Sequence, residues 1–208
     1  MNDDLTLYTN PMSRGRIARW MLEEIDQPYR TELLDYATTM KAPAYLAINP
    51  MGKVPAIRHG DTVVTEGAAI CAYLADAFPQ AGLAPPLGDR LRGPYYRWLF
   101  FAAGPVEAAI SNTALGFVVP EGRSRMMGYG SLADTLNVLE GAVSQSAYVV
   151  GDSFTAADVY VGSQIGFGMQ FGTIEKRPAF ERYWERLSQR PAILRAKAID
   201  DALIPKQP

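Results

Sequence analysis

One cysteine and one histidine are all that 208 residues provide. With Cys71 alone, an intramolecular disulfide, a CxxC redox pair and a cysteine-based zinc cluster are excluded. The single histidine, His59, sits in a predicted hairpin turn, His59-Gly60-Asp61, and reads as an exposed turn residue. That placement argues against a Ser-His-Asp triad. No group of His, Cys and carboxylates has metal-ligand spacing, so no metal site is expected. Neither sign of charge is in excess. The formal net charge of −2 supplies no electrostatic reason for nucleic acid or an anionic membrane as partner. No apolar run reaches the length of a membrane span, and Met1-Asn2-Asp3-Asp4 is acidic where a secretory leader would be basic. The expectation is a cytoplasmic protein. What is present is 48% hydrophobic and 20% charged residues, enough for a full core.

The two halves of the chain differ in period. Leu5-Thr6-Leu7-Tyr8 alternates as a short strand, and Thr9-Asn10-Pro11-Met12-Ser13 breaks it with turn residues. From Ser13 to Ile25 the apolar residues Ile17, Ala18, Met21, Leu22 and Ile25 recur at helical spacing. Pro28 to Leu34 reads as a second strand, and 36–48 as irregular chain with a short helix. Lys53-Val54-Pro55-Ala56-Ile57 and Val63-Val64-Thr65 form a hairpin that runs into a helix over 66–78. This is an α/β half with the order β-α-β-α-β-β-α. Pro79 to Pro86 is a linker, beyond which alternation fades and helical periods take over. Helices are predicted over 89–115, 123–145, 155–171, 179–189 and 191–200, so the second half is all-α. Thr155 and Asp158 have the spacing of a capping box.

Few residues can carry chemistry. Ser13 is either the cap of the first helix or a hydroxyl that donates to an anionic sulfur or oxygen. Tyr8, at the end of the first strand, is the competing hydroxyl and otherwise a packed aromatic. Cys71 falls among Ala68, Ala69, Ile70 and Leu74 and reads as a small buried residue rather than a nucleophile. The bond before Pro55 can be cis, leaving the Val54 backbone facing outward. Glu66 and Gly67 begin a helix whose unpaired N–H groups attract a carboxylate. Tyr95, Tyr96, Trp98, Phe100 and Phe101 cover more than one helix face, so part of the stripe is expected in a pocket or an interface.

Taken in order, Tyr8–Arg16, Asn49-Pro50-Met51-Gly52-Lys53-Val54-Pro55, Glu66-Gly67-Ala68-Ala69-Ile70 with Tyr73-Leu74, and the box at Thr155–Asp158 resemble the cytosolic glutathione transferase superfamily, in its serine-type form. The resemblance covers essentially the whole chain. It implies a thioredoxin-like α/β domain over 1–80, a linker over 81–88 and an all-helical domain over 89–208. It further implies glutathione as co-substrate, with Pro55 as the cis-proline and Val54 pairing with the cysteinyl backbone. Glu66, Gly67 and Ala68 would hold the γ-glutamyl end, and Lys53 and Lys41 the glycyl carboxylate. Ser13, with Tyr8 as alternative, would stabilise the thiolate. Met12, Tyr95, Trp98 and Phe101 would line the pocket for a hydrophobic electrophile. Conjugation is the implied reaction; isomerisation, peroxide or disulfide reduction, or a non-catalytic binding module are the alternatives. A homodimer is implied too. Gly67 departs from the family pattern, in which a Ser often adds a hydroxyl to the γ-glutamyl carboxylate, and so bears on binding strength.

Overall fold

Strand β1 (Leu5–Thr9) is buried along its whole length, as a central strand covered on both faces must be. In the computed structural model, which describes residues 5–204, it is followed by α1 (Gly15–Ile25), β2 (Arg30–Leu33), α2 (Pro43–Leu46), β3 (Ala56–His59), β4 (Thr62–Thr65) and α3 (Gly67–Ala77). Then come α4 (Arg92–Phe101), α5 (Glu107–Ala114), α6 (Leu132–Gln145), α7 (Ala156–Phe171), α8 (Pro178–Ser188) and α9 (Pro191–Ala202). The chain separates into two compact units. One runs up to Leu83 and resumes at Gln189; the other is Ala84–Ser188. The chain stays helical through α9, as expected, but α9 packs on α1 and is grouped with the first unit rather than with the other helices.

The first unit is built on a four-stranded mixed sheet of order β2-β1-β3-β4. β1 and β2 are parallel, as a helical crossover allows, and the other two pairings are antiparallel. Ile17, Ala18, Met21, Leu22 and Ile25 of α1 are buried as their spacing predicts, but so are Arg19 and Trp20. The buried polar face is explained by α9. Arg19 Nε donates to Asp200 at 2.8 Å with both side chains 1% exposed, while Arg190 clamps Glu24 through two bonds of 2.7 Å. Removing one partner of such a buried pair costs about 3–5 kcal/mol. The hairpin turn is Gly60-Asp61, with Gly60 at φ 57°. His59 is not an exposed turn residue. It ends β3 half-buried, stacked on Phe78 with its Nδ1 2.9 Å from the Tyr73 hydroxyl.

The regular elements of the second unit are helices. The helix predicted over 89–115 runs without a break from Arg92 to Ala114, α4 passing into α5 through a π segment at Ala102–Val106, where Pro105 has no N–H to give to the helical ladder. The helix predicted from 123 begins only at Leu132. Gly130 is at φ 69°, and Ser131 caps the helix by accepting from Asp134 N–H at 3.1 Å. The Thr155–Asp158 box forms, and it is larger than a cap. The buried Asp158 carboxylate accepts from Thr155 N–H, the Thr155 hydroxyl, Val149 N–H and the Tyr183 hydroxyl at 2.7–3.0 Å. One carboxylate thus ties the 148–151 turn, the start of α7 and the middle of α8. Burial pushes both Asp158 and Tyr183 upward, and the donated bonds pull Asp158 back.

Candidate functional site

Strand register gathers the candidate segments of the first unit at one end of its sheet. Thr9 lies opposite Leu33, Tyr8 opposite Ala56, and Ala56 opposite Thr65. The chain leaving β1 toward Ser13, the chain entering β3 through Val54-Pro55 and the chain leaving β4 at Glu66 consequently share that end. β1, β3 and β4 are neighbours, and strands lie about 4.8 Å apart. The three segments therefore span roughly 10 Å, the length of an extended tripeptide at about 3.4 Å per residue. Beneath them Tyr8, Met40, Tyr45 and Ala56 form a buried cluster, with Leu34, Ile48 and Val54 packed against it.

Several bonds shape the turn that carries Ser13. The Asn10 amide donates to Leu34 O at 2.8 Å and its oxygen accepts from Met12 N–H at 2.9 Å. The Tyr36 hydroxyl donates to Met12 O at 3.0 Å, and Arg16 Nε donates to Pro11 O at 2.6 Å. Ser13 itself is half-buried. Its Oγ accepts from Gly15 N–H at 2.9 Å and donates to Asn10 O at 2.7 Å. It therefore satisfies an orphan donor of the helix although Arg14 stands at the formal cap position. Its proton lies on a carbonyl, and a rotation about the Cβ–Oγ bond redirects it to an incoming anion. Gly15 is dictated by space: a Cβ there would lie 1.9 Å from Thr9 Oγ1 and 2.9 Å from Ser13 Oγ.

The second segment is held from below. The Val54–Pro55 bond is cis, and the ladders of β3 begin only at Ala56, so Val54 lies outside them. Three successive carbonyls before it are engaged. Lys41 Nζ donates to Met51 O at 3.0 Å and to Gly52 O at 2.9 Å; the Tyr45 hydroxyl and the Asn49 amide donate to Lys53 O at 2.6 and 2.8 Å. Lys41, expected near a ligand carboxylate, is thus committed to this loop, while Lys53 remains exposed. Gly52 has φ 57°, and a Cβ there would meet Met40 O at 2.6 Å. Tyr45 and Asn49 were not picked out from sequence as site residues. Asn49 belongs to the Asn49–Pro55 motif, but nothing in its spacing reveals that it reaches Lys53 O, and Tyr45 lies outside the motif.

At the third segment, Glu66 has φ 67° and ψ 119°, a conformation that costs a non-glycine residue about 1–3 kcal/mol and clusters at ligand-binding positions. Its carbonyl accepts from Ile70 N–H at 2.9 Å, so α3 starts immediately after it. The first N–H groups, from Gly67 and Ala68, lack intrahelical partners and carry the positive end of the helix dipole. Gly67 and Ala68 are half-buried and Glu66 is exposed.

Other candidates land elsewhere. Tyr8 is buried in the cluster under the site, its ring 5.7 Å from Tyr45. Tyr95 is 0% exposed and Trp98 6%, so both are core of the second unit and offer no face to a ligand. Phe101 is half-buried against Trp98, and the outward rings of α4 are Phe100, 72% exposed, and Tyr96, 39% exposed. Met12 is exposed. Cys71 is fully buried, and burial alone pushes its thiol far up, which removes it as a nucleophile at neutral pH. Among the described residues no group of three or more His, Cys, Asp and Glu can hold a metal ion, and no helix is long and apolar enough to cross a membrane.

Residues 12–77 match the family model for the glutathione S-transferase N-terminal domain, and 127–191 that for the C-terminal domain. Glutathione S-transferase F9 of Arabidopsis thaliana is 30% identical over 173 residues, covering 73% of this chain and 76% of its own. Among solved structures, a glutathione transferase from Methylococcus capsulatus superposes with a TM-score of 0.79 at 28% identity, covering 95% of this chain and 99% of its own. The glutathione transferase URE2P6 of Phanerochaete chrysosporium, solved with oxidized glutathione, gives 0.79 at 26% identity over 98% and 99%.

Proposed function

Because the chain belongs to the cytosolic glutathione S-transferase superfamily, we propose that it transfers the glutathione thiolate to an electrophilic hydrophobic small molecule, with Ser13 stabilising the thiolate. The observation that carries the reading is the shared sheet end of Ser13, Val54-Pro55 and Glu66-Gly67, about one tripeptide wide. The Val54 backbone, free of both ladders, pairs with the cysteinyl residue as a short added strand. The γ-glutamyl carboxylate meets the N–H groups of Gly67 and Ala68, with Glu66 facing the ammonium. Lys53 is the exposed cation for the glycyl carboxylate.

An unperturbed thiol titrates at about 8.5, and only the thiolate attacks. Ser13 Oγ turns from Asn10 O to the sulfur, and the hydrogen bond it donates favours the anion and lowers that value. The thiolate then forms the S–C bond of the conjugate as the electrophile's leaving group departs or its double bond accepts the electron pair. Met12 contributes to the apolar side that receives this second substrate. The active form is a homodimer, as is usual in the family, and a sedimentation mass of a single chain refutes that part.

Calorimetric titration with glutathione, followed by the pH dependence of thiolate absorbance in the wild-type and Ser13→Ala complexes, tests the reading. Binding and an upward shift in the variant are expected. No detectable binding at millimolar glutathione would overturn the enzyme reading in favour of an interaction module. Binding with an unchanged thiol pKa would remove Ser13 from the mechanism.

A further inference from the structure

Arg16 does two things at once. Its Nε donates to Pro11 O at 2.6 Å, inside the turn that carries Ser13, and its Nη2 donates to Asp201 Oδ1 at 2.7 Å, near the end of α9. Pro11 is buried and its carbonyl lies one peptide from Met12, whose own carbonyl accepts from Tyr36. Asn10, on the other side of Pro11, supplies the carbonyl on which the Ser13 hydroxyl rests at 2.7 Å. A displacement of Pro11 therefore moves the acceptor that sets the Ser13 rotamer. Asp201 is held in turn, because Lys197 pairs with its other oxygen one turn back along α9, and its neighbour Asp200 forms the buried pair with Arg19. Arg16 and Arg19 are three apart on α1 and meet two consecutive carboxylates on α9, which fixes the register between the helices. The guanidinium fork supplies both bonds from one rigid plane; a lysine has no such plane.

We propose that Arg16 and Asp201 are positioning residues for the Ser13 hydroxyl, so that α9 governs thiolate activation without touching the substrate. This rests on the reading of Ser13 as thiolate donor. The peptide-holding groups at Val54, Gly67 and Ala68 lie on other segments, so the link bears on the sulfur and leaves the affinity for glutathione intact.

The experiment compares Asp201→Ala, Arg16→Lys, the double variant Arg16→Lys/Asp201→Ala, Arg195→Ala and Ser13→Ala with wild type. Each is assayed for the thiol pKa of bound glutathione, for the KM for glutathione and for kcat with one fixed electrophile. Arg195→Ala is the control: it removes another α1–α9 tie, to Glu23 at 3.0 Å, at a distance from the Ser13 turn along α1. Asp201→Ala and Arg16→Lys are expected to raise the thiol pKa by roughly half a unit and lower kcat about ten-fold, with KM within about two-fold. The double variant should be no worse than the more affected single, since the two residues form one link. Arg16→Lys keeps the charge, so the comparison survives even where Asp201→Ala fails to fold. A thiol pKa unmoved in both single variants, or moved as far by Arg195→Ala, would overturn the proposal and leave Ser13 in place. No shift in Ser13→Ala itself would overturn the underlying reading, and this inference with it.

Discussion

Replacing Gly15 with alanine inserts one methyl group where β1 and α1 come closest. The new Cβ would stand 1.9 Å from Thr9 Oγ1, 3.0 Å from Thr9 Cβ and 2.9 Å from Ser13 Oγ, where ordinary contact begins at 3.4 Å. About 1.5 Å must be recovered at the worst contact (3.4 − 1.9 = 1.5). Thr9 is a β-branched residue, 0% exposed in the central strand, so it has no flexible end to swing aside. Overpacking of a tight interior costs about 1–3 kcal/mol, and the gain from alanine over glycine within a helix is at most about 1 kcal/mol. The expected net loss is about 2 kcal/mol, read as a lower urea midpoint with unchanged m. Because Ser13 Oγ is the other near neighbour, the bound thiol pKa should rise as well. Thr9 Oγ1 is buried with no hydrogen-bond partner, so Thr9→Ala alone should cost under about 1 kcal/mol, and Thr9→Ala/Gly15→Ala should recover part of the loss. Recovery is partial because the contact with Ser13 remains. A Gly15→Ala variant within 0.5 kcal/mol of wild type (about the scatter of harmless substitutions), or a double variant no better than the single, would refute the steric account.

Two further predictions come from buried polar groups. Asp158→Ala leaves the Val149 and Thr155 N–H groups and the Tyr183 hydroxyl without their acceptor, and should cost about 3 kcal/mol or more in urea unfolding; a loss below 1 kcal/mol would show that water or rearrangement replaces it. The Tyr45 hydroxyl, donating to Lys53 O, is raised by burial to about 12 from its ordinary 10. A raised folded pKa means that its stability is fully present below pH 10 and is lost as pH climbs toward 12. The melting temperature should fall across that window, and more steeply in wild type than in Tyr45→Phe; equal slopes would exclude Tyr45 as a contributor.

Periodicity carried the fold well wherever one residue type faced one environment. The buried stripe of α1 and the hairpin entering α3 are examples. It failed where a local backbone signal overrode the pattern. The helix predicted from 123 starts only after Gly130, whereas the one predicted over 89–115 persists through a π segment at Pro105. Ser13, Val54, Pro55 and Glu66 were legible as candidates because turn, proline and helix-start chemistry is local. The bonds that hold them were not, since Arg16–Asp201 and Arg19–Asp200 join residues more than 180 apart. Nor does spacing separate a tyrosine at a pocket rim from one in the core, which is why Tyr95 and Trp98 were misassigned while Phe100 was left aside.

The first unit is discontinuous: 105 residues, Ala84 to Ser188, are made between its α/β part and the helix that completes it. At about 5–20 residues per second on a ribosome, that interval is roughly 5–20 s. Throughout it, the face of α1 bearing Arg19, Glu23 and Glu24 has no partner from α9. The charged character of that face then acquires a second use. A naked hydrophobic groove would invite neighbouring nascent chains to pair with it, whereas a face that carries charge of both signs stays hydrated until α9 arrives.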